Sequence, residues 1–254
     1  MRLEQAAAIA SHLLVVPQSA STNAELRERA SDAQTWPHLS ALVTGTQTAG
    51  RGRLDRDWVT PPGSALAVSV LLRELPDDMQ ARGWIPLAAG VAMTDAVAAQ
   101  LPGHEVGLKW PNDVLVDGRK ICGILAEATA DAVIVGSGVN TTMSTDQLPV
   151  PTATSFAALG ASVDVDRLLA DYLTRLGELI AALAGRSDAA ASDLLADTVA
   201  RCVTIGQRVR VMLPGGAELH GTAVGIDEHG RLMVDDGAGQ HPISAGDVVH
   251  VRPA

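Results

Sequence analysis

The apolar positions of the chain change their period several times, and each change marks an element. Ala41–Thr46 and Ala65–Arg73 are apolar segments rich in Val and Leu. Runs of this kind predict strands covered on both faces. Asp131–Asn140 reads the same way, with two glycines among its valines. The segment Ser21–Ala30 is polar and opens with Thr22 three residues before Glu25, the spacing of a capping box, and predicts a short helix. A longer helix is predicted over Trp84–Gln100, where Pro86 is tolerated in the first turn. Two more follow over Asp166–Ala184 and Asp188–Arg201, the second rich in alanine. Between two apolar runs, Asp117-Gly118 predicts a tight hairpin turn.

From Cys202 the texture changes to short alternating strands separated by glycine-containing turns. Such a segment predicts a β-barrel of about fifty residues, a size at which a core is marginal alone and is expected to dock on the rest. The strands before it are not in a strict βαβ repeat. The expected class is therefore α+β, with a mixed β-sheet domain over residues 1–201 and a small barrel over 202–254.

Composition narrows the functions. The 254 residues are 47% hydrophobic and carry a net charge of -10, enough apolar material for a folded core and the wrong sign for a broad nucleic-acid surface. No apolar run is long enough to span a bilayer, and the N-terminus carries an early glutamate and a histidine, so a cytoplasmic protein is expected. Cys122 and Cys202 stand far apart without partners at metal-ligand spacing, and both are expected to be reduced, packed thiols.

Against this acidic background, Ala49–Trp58 (AGRGRLDRDW) gathers three arginines among glycines. It is neither a Walker loop nor a dinucleotide fingerprint. Gly50 and Gly52 allow close backbone approach to a ligand, while Arg51, Arg53 and Arg56 offer forked donors to carboxylate or phosphate oxygens. Like charges in a short loop repel, so the segment is expected to order when an anion binds. Lys109, Asn112, Asp113 and Lys120 cluster around the hairpin, and Gly136-Ser137-Gly138-Val139-Asn140 supplies a glycine-lined strand end.

Five motifs in order, Ser21-Thr22-Asn23, Gln47–Arg53 with Trp58, Lys109–Asp113, Gly118–Leu125 and Gly138–Asn140, resemble the biotin protein ligases of the monofunctional type. The likeness covers essentially the whole chain, and the β-rich tail resembles the SH3-like C-terminal module of that family. The chain departs from the family at Leu54–Arg56, where a second glycine and basic run is usual, and at Cys122, where a smaller residue is usual. The resemblance implies an ATP-dependent ligase that makes biotinoyl-5'-AMP and passes the biotinoyl group to one lysine of a biotin carboxyl carrier domain of carboxylases, with Mg²⁺ entering on the ATP. About twenty residues precede Ser21, too few for the winged helix-turn-helix of bifunctional ligase-repressors, so no DNA partner is expected. The oligomeric state reads equally as monomer or weak homodimer.

Residue roles carried over by the resemblance are as follows. Lys120 and Arg53 form the catalytic pair at the carboxylate and the α-phosphate; Lys109 either assists them or braces the hairpin. Ser21, Thr22, Asn23, Gln47, Arg51, Gly52, Arg53 and Lys120 contact biotin, with Gly123 and Leu125 along its acyl chain. The nucleotide falls to Arg51, Arg53, Asn112, Lys120, Trp58 and Asn140, the last two at the adenine. Asp113 either organises Mg²⁺ or accepts hydrogen bonds in its turn.

Overall fold

The computed structural model describes residues 1–58, 60–185, 188–213, 216–244 and 246–251. Its main sheet has seven strands: β1 (His12–Val15), β2 (Ser40–Thr44), β5 (Ala65–Leu72), β6 (Val106–Lys109), β7 (Asp113–Val116), β8 (Arg119–Ala128) and β9 (Val133–Asn140). They lie in the order β1-β2-β5-β9-β8-β7-β6. β1 pairs with β2 in parallel and every other neighbour is antiparallel, so the sheet is mixed by virtue of its first strand. A two-stranded ribbon, β3 (Gly50–Arg51) and β4 (Asp57–Trp58), stands outside this sheet.

Helices α1 (Glu4–Ile9), α3 (Ile85–Ala98), α4 (Val165–Ala184) and α5 (Asp188–Arg201) cover one face, and α2 (Thr22–Arg29) packs on the other. Alternation along the central strands sorts side chains between the two faces. Leu66, Val68 and Val70 of β5 and Val133, Val135 and Val139 of β9 enter the large core beneath the four helices. Leu71 and Ile134 enter a smaller cluster under α2, with Leu26 and Trp36. Ala67, Ser69, Gly136 and Gly138 share that second face by parity, and it is the face on which the cavity described below is built.

The C-terminal module is a five-stranded antiparallel sheet in the order β13-β12-β11-β10-β14, formed by β10 (Arg208–Met212), β11 (Glu218–Ile226), β12 (Leu232–Asp235), β13 (Gln240–Ile243) and β14 (Asp247–His250). Its apolar residues Val209, Val211, Leu232 and Val234 belong to the same contiguous core as the main sheet. Polar contacts fasten the seam. Val203 N–H donates to Leu108 O at 3.0 Å, Trp110 N–H to Thr204 Oγ1 at 3.0 Å, and the indoles of Trp84 and Trp110 donate to the carbonyls of Glu228 and Gly230 at 3.1 and 3.0 Å. Gly230, at φ 74°, lies so close to Leu87 that a Cβ there would meet its Cδ1 at 2.9 Å. The small module thus packs directly on the larger one.

Most predicted elements form, with shifted ends. The Asp117-Gly118 turn has φ of 49° and 73°, the left-handed pair that a two-residue hairpin of this hand requires. The capping box does not form. Ser21 is the N-cap, accepting from Ala24 N–H at 3.5 Å, while Glu25 turns to Ser19 Oγ at 2.8 Å and to Arg29. Thr22 is withdrawn from capping because its hydroxyl is bound to Gln47 and Ser69. Ala49–Trp58, read as a loop, is the β3–β4 ribbon, closed by a tight turn in which Leu54 takes the left-handed region at φ 56°.

The seam yields the first prediction. Trp110→Phe removes the donor that satisfies the Gly230 carbonyl in a buried interface, and a loss of about 1–3 kcal/mol is expected. Thermal denaturation should show a melting temperature several degrees lower with a single transition retained; an unchanged melting temperature would mean that the bond does not hold the module.

Candidate active site

One cavity on the α2 face of the sheet gathers Ser21, Thr22, Asn23, Gln47, Arg51, Gly52, Arg53, Trp58, Asn112, Asp113, Lys120, Gly123 and Leu125. Lys109 and Asn140 are not in its lining. The cavity also takes in Leu54, Arg56, Asp57, Ala67, Ile124, Gly136, Ser137, Gly138 and Asp247.

Its floor is shaped by missing side chains. A Cβ on Gly136 would stand 2.3 Å from Asn23 Oδ1, and one on Gly138 would stand 2.5 Å from Cζ2 of Trp58. Only glycine lets α2 and the ribbon close on β9 at these positions. Gly50 plays the same part within the ribbon, its absent Cβ facing Gln47 Nε2 at 2.3 Å and Trp58 O at 2.5 Å.

A neutral network lines the cavity beside α2. Residues 46–49 run alongside residues 19–20, through Thr48 N–H to Ser19 O at 3.0 Å and Ala49 N–H to Ala20 O at 2.8 Å, which delivers Gln47 to the helix N-terminus. Gln47 Oε1 accepts from Thr22 N–H at 2.8 Å and from Thr22 Oγ1 at 3.0 Å. With its oxygen so engaged, the amide presents Nε2 as a donor. Asn23 is held by protein on both ends: Nδ2 donates to Leu125 O at 3.3 Å and Glu127 Oε2 at 2.7 Å, and Oδ1 accepts from Ser69 Oγ at 2.6 Å. Ser69, completely buried, also lies 2.8 Å from Thr22 Oγ1 and so links the two residues. It was absent from the sequence-based set. A lone hydroxyl inside an otherwise apolar buried strand was the available signal, since such a group needs a partner.

A charged network lines the same cavity. The pairing of β7 with β8 slips between Val114 and Leu115, leaving Ile121 as an extra residue. The bulge moves Ile121 and Cys122 together into the main core and returns Lys120 to the cavity face with Gly123. Lys120 Nζ lies 2.6 Å from Asp113 Oδ1 and 2.9 Å from where a Cβ of Gly123 would be. The Lys120 main chain is pinned on both sides, by Thr152 O at 2.7 Å and Thr154 N–H at 2.8 Å. Arg53 donates from Nη1 to Asn112 Oδ1 at 2.9 Å and from Nη2 to Gly246 O at 3.0 Å. Half-burial pulls its guanidinium below the ordinary value, partly offset by the charges of Asp113 and Asp247. The Arg51 main chain is paired with Asp57 in the ribbon, while its guanidinium has no hydrogen bond or ion pair among the described residues. Lys109 is likewise pulled down by burial, against the attraction of Asp113 and Asp247. Asn140 is buried and linked to the Lys120 main chain through Thr154, to whose carbonyl its Nδ2 donates at 2.9 Å.

Residues 15–140 match the Biotin/lipoate A/B protein ligase family, and residues 204–251 match the Biotin protein ligase C terminal domain. Over 241 residues the chain is 44% identical to the Biotin--[acetyl-CoA-carboxylase] ligase of Mycobacterium tuberculosis (strain ATCC 25618 / H37Rv), covering 94% of this chain and 88% of that protein. The chain belongs to the biotin protein ligase family. A second member, the Bifunctional ligase/repressor BirA of Escherichia coli (strain K12), is 30% identical over 92% of this chain and 72% of its own length. Among solved structures, the biotin protein ligase from Aquifex aeolicus in complex with biotin and ATP has a TM-score of 0.78 at 26% identity, covering 96% of this chain and all of that one.

Cys122, on the core side of the β8 bulge, points away from the cavity. Cys122 is 1% exposed, and burial pushes its thiol up to about 12, against a smaller opposing pull from Lys120. A thiol raised by burial stays protonated at pH 8. Burial also raises the thiol of Cys202. Iodoacetamide at pH 8 should therefore leave both cysteines unlabelled in the native protein and label both in guanidinium, as read by peptide mass spectrometry. Rapid native labelling of Cys122 would contradict the packing described.

Proposed function

We propose that the two networks of this one cavity divide the work of a biotin ligase: the neutral set holds the ureido ring of biotin, and the charged set holds its carboxylate against the α-phosphate of ATP. The product of the first step is biotinoyl-5'-AMP, with pyrophosphate leaving. In the second step the amine of one lysine on a biotin carboxyl carrier domain attacks the acyl carbon, and AMP leaves. The observation that carries this reading is the coexistence, in a single cavity, of an uncharged hydroxyl and amide network with an arginine and lysine cluster. The relative from Aquifex aeolicus, crystallised with biotin and ATP, supports it.

A cyclic urea offers one strong acceptor and two donors, and it calls for neutral partners. Gln47 Nε2, the hydroxyl of Ser21 and the remaining lone pair of Thr22 meet that demand, while Asn23, consumed by Glu127, Leu125 and Ser69, positions its neighbours. Gly123 and Leu125 border the acyl chain. Joining two anions requires fixed positive charge where charge builds on the phosphorus oxygens. Lys120 and Arg53 supply it, with Arg51 and the main chain at Gly52 beside them; Asn112 holds Arg53 through Oδ1. Lys109, half-buried at the end of β6 opposite Asp113, adds positive charge without reaching the lining. Trp58 is assigned to the adenine face, and the Oδ1 left over on Asn140 to the adenine edge.

Among the described residues no three His, Cys, Asp or Glu side chains assemble as a metal cluster. Mg²⁺ commonly binds through one or two carboxylates and the phosphates of its substrate. Asp113 fits that use: it borders the cavity, and its buried Oδ1 forms an ion pair with Lys120 but makes no hydrogen bond of good geometry. The ion would neutralise phosphate charge there. The net charge of -10 gives no support to a DNA-binding role. No helix among the described residues is long and apolar enough to cross a membrane.

The direct test incubates a carrier domain with the protein, biotin, ATP and Mg²⁺ and weighs it. A gain of one biotinoyl group on one lysine is expected, and an unmodified carrier would sink the reading. Lys120→Ala should slow pyrophosphate release by about 10²–10³-fold, the effect of losing one preorganised donor, with the melting temperature little changed because its side chain is 42% exposed. Ser69→Ala removes the hydroxyl that joins Thr22 to Asn23 and should raise the KM for biotin about tenfold while leaving the KM for ATP near the wild-type value. Equal effects on both constants would show Ser69 to be a general packing residue instead.

A further inference from the structure

The three arginines of the β3–β4 ribbon are not equivalent. Among the described residues the Arg51 guanidinium has no protein partner, and that of Arg53 hydrogen-bonds to neutral acceptors, the Asn112 amide and the Gly246 carbonyl. Among the described side chains, Arg56 is the one of the three matched by a carboxylate. It forms a two-pronged ion pair with Asp247, at the first residue of β14, in which Nη2 meets Oδ2 and Nη1 meets Oδ1 at 3.5 Å. Asp247, which opens β14, and Gly246 just before it therefore hold two arginines of the turn between β3 and β4, Arg56 and Arg53. The absence of a side chain at Gly246 permits the grip, for a Cβ there would strike Val211 Cγ1 at 2.9 Å and Met212 O at 3.0 Å. Asp247 itself borders the cavity.

An exposed ion pair between two mobile groups contributes little. This one joins a ribbon to a module whose own place is fixed by the Trp84, Trp110 and Val203 bonds, and a second bond from Arg53 reinforces it. Its effect is thus on where the ribbon sits.

Resting on the ligase reading above, we propose that Asp247 is a positioning residue that latches the β3–β4 ribbon shut over the cavity from the C-terminal module, and thereby retains the acyl-adenylate until a carrier arrives. Arg56 serves the latch, which leaves Arg51 and Arg53 for the anion. Asp247 touches no reacting atom. Its removal opens the lid without emptying the site, and the bound intermediate is lost sooner.

The test forms biotinoyl-5'-AMP from labelled biotin and saturating ATP on the wild-type protein, D247A, R56A, the R56A/D247A double variant and the exchanged pair R56D/D247R, then chases with unlabelled biotin. D247A and R56A should each speed the loss of labelled adenylate about tenfold, the double variant no more than either single, and the exchanged pair should recover part of the retention. Thermal denaturation run beside it should find all four variants folded, a result that separates a latch from a prop. Wild-type retention in D247A, or additive losses in the double variant, would overturn the latch while leaving the ligase reading intact. Should D247A fail to fold, the exchanged pair decides: retention above that of R56A supports the latch, and retention equal to R56A refutes it. A wild-type protein that forms no adenylate would overturn the ligase reading and the latch together.

Discussion

Everything at the site depends on two side chains that are missing from one strand. Gly136 and Gly138 fall two residues apart on β9, on the face opposite the main core, and their bare backbone is what α2 and the β3–β4 ribbon approach. Had the strand kept the valine pattern of its other face, Asn23 and the Trp58 ring would be displaced by the width of a methyl group or more. The neutral network hangs on Asn23 and the ribbon on Trp58, so both halves of the cavity would open together. The constraint is steric and local. It sets the depth of the cavity before any polar group is placed.

Polar groups then enter by a change of phase. β8 would present Lys120 and Gly123 on opposite faces if it ran regularly, because side chains alternate. The extra residue at Ile121 breaks the alternation, so an ammonium group and the gap into which it folds come to one side, and a thiol and an isoleucine go to the other. One irregularity thereby aims the lysine and seals the core behind it. Asp113, on the paired strand, holds the ammonium in that position.

Much of this was legible in the chain. The apolar runs, the Asp117-Gly118 turn, the change of texture near Cys202 and the five separated motifs are local signals, and local signals survive in sequence. What could not be read depends on pairings distant in sequence. The phase slip of β8 is a property of its partner strand. Thr22 looked like a helix cap because Glu25 stands three residues on, yet tertiary partners, Gln47 and Ser69, claimed its hydroxyl. Ser69 was hidden inside a strand that otherwise reads as core. The ribbon was read as a segment wanting an anion, because nothing near it in sequence announces that Asp247 supplies one.

The seam between the two modules also has a meaning for how the protein is made. Arg56 and Asp247 are separated by 191 positions, and Arg53 and Gly246 by 193. During synthesis the main sheet can assemble while the C-terminal strands are still being added, since domains generally fold from the N-terminal side as the chain emerges. The last strand closes the wall of a cavity whose other sides already exist. A nascent or prematurely ended chain would carry the neutral network yet lack Gly246 and Asp247, so the cavity is completed by the final stretch of translation rather than growing with length.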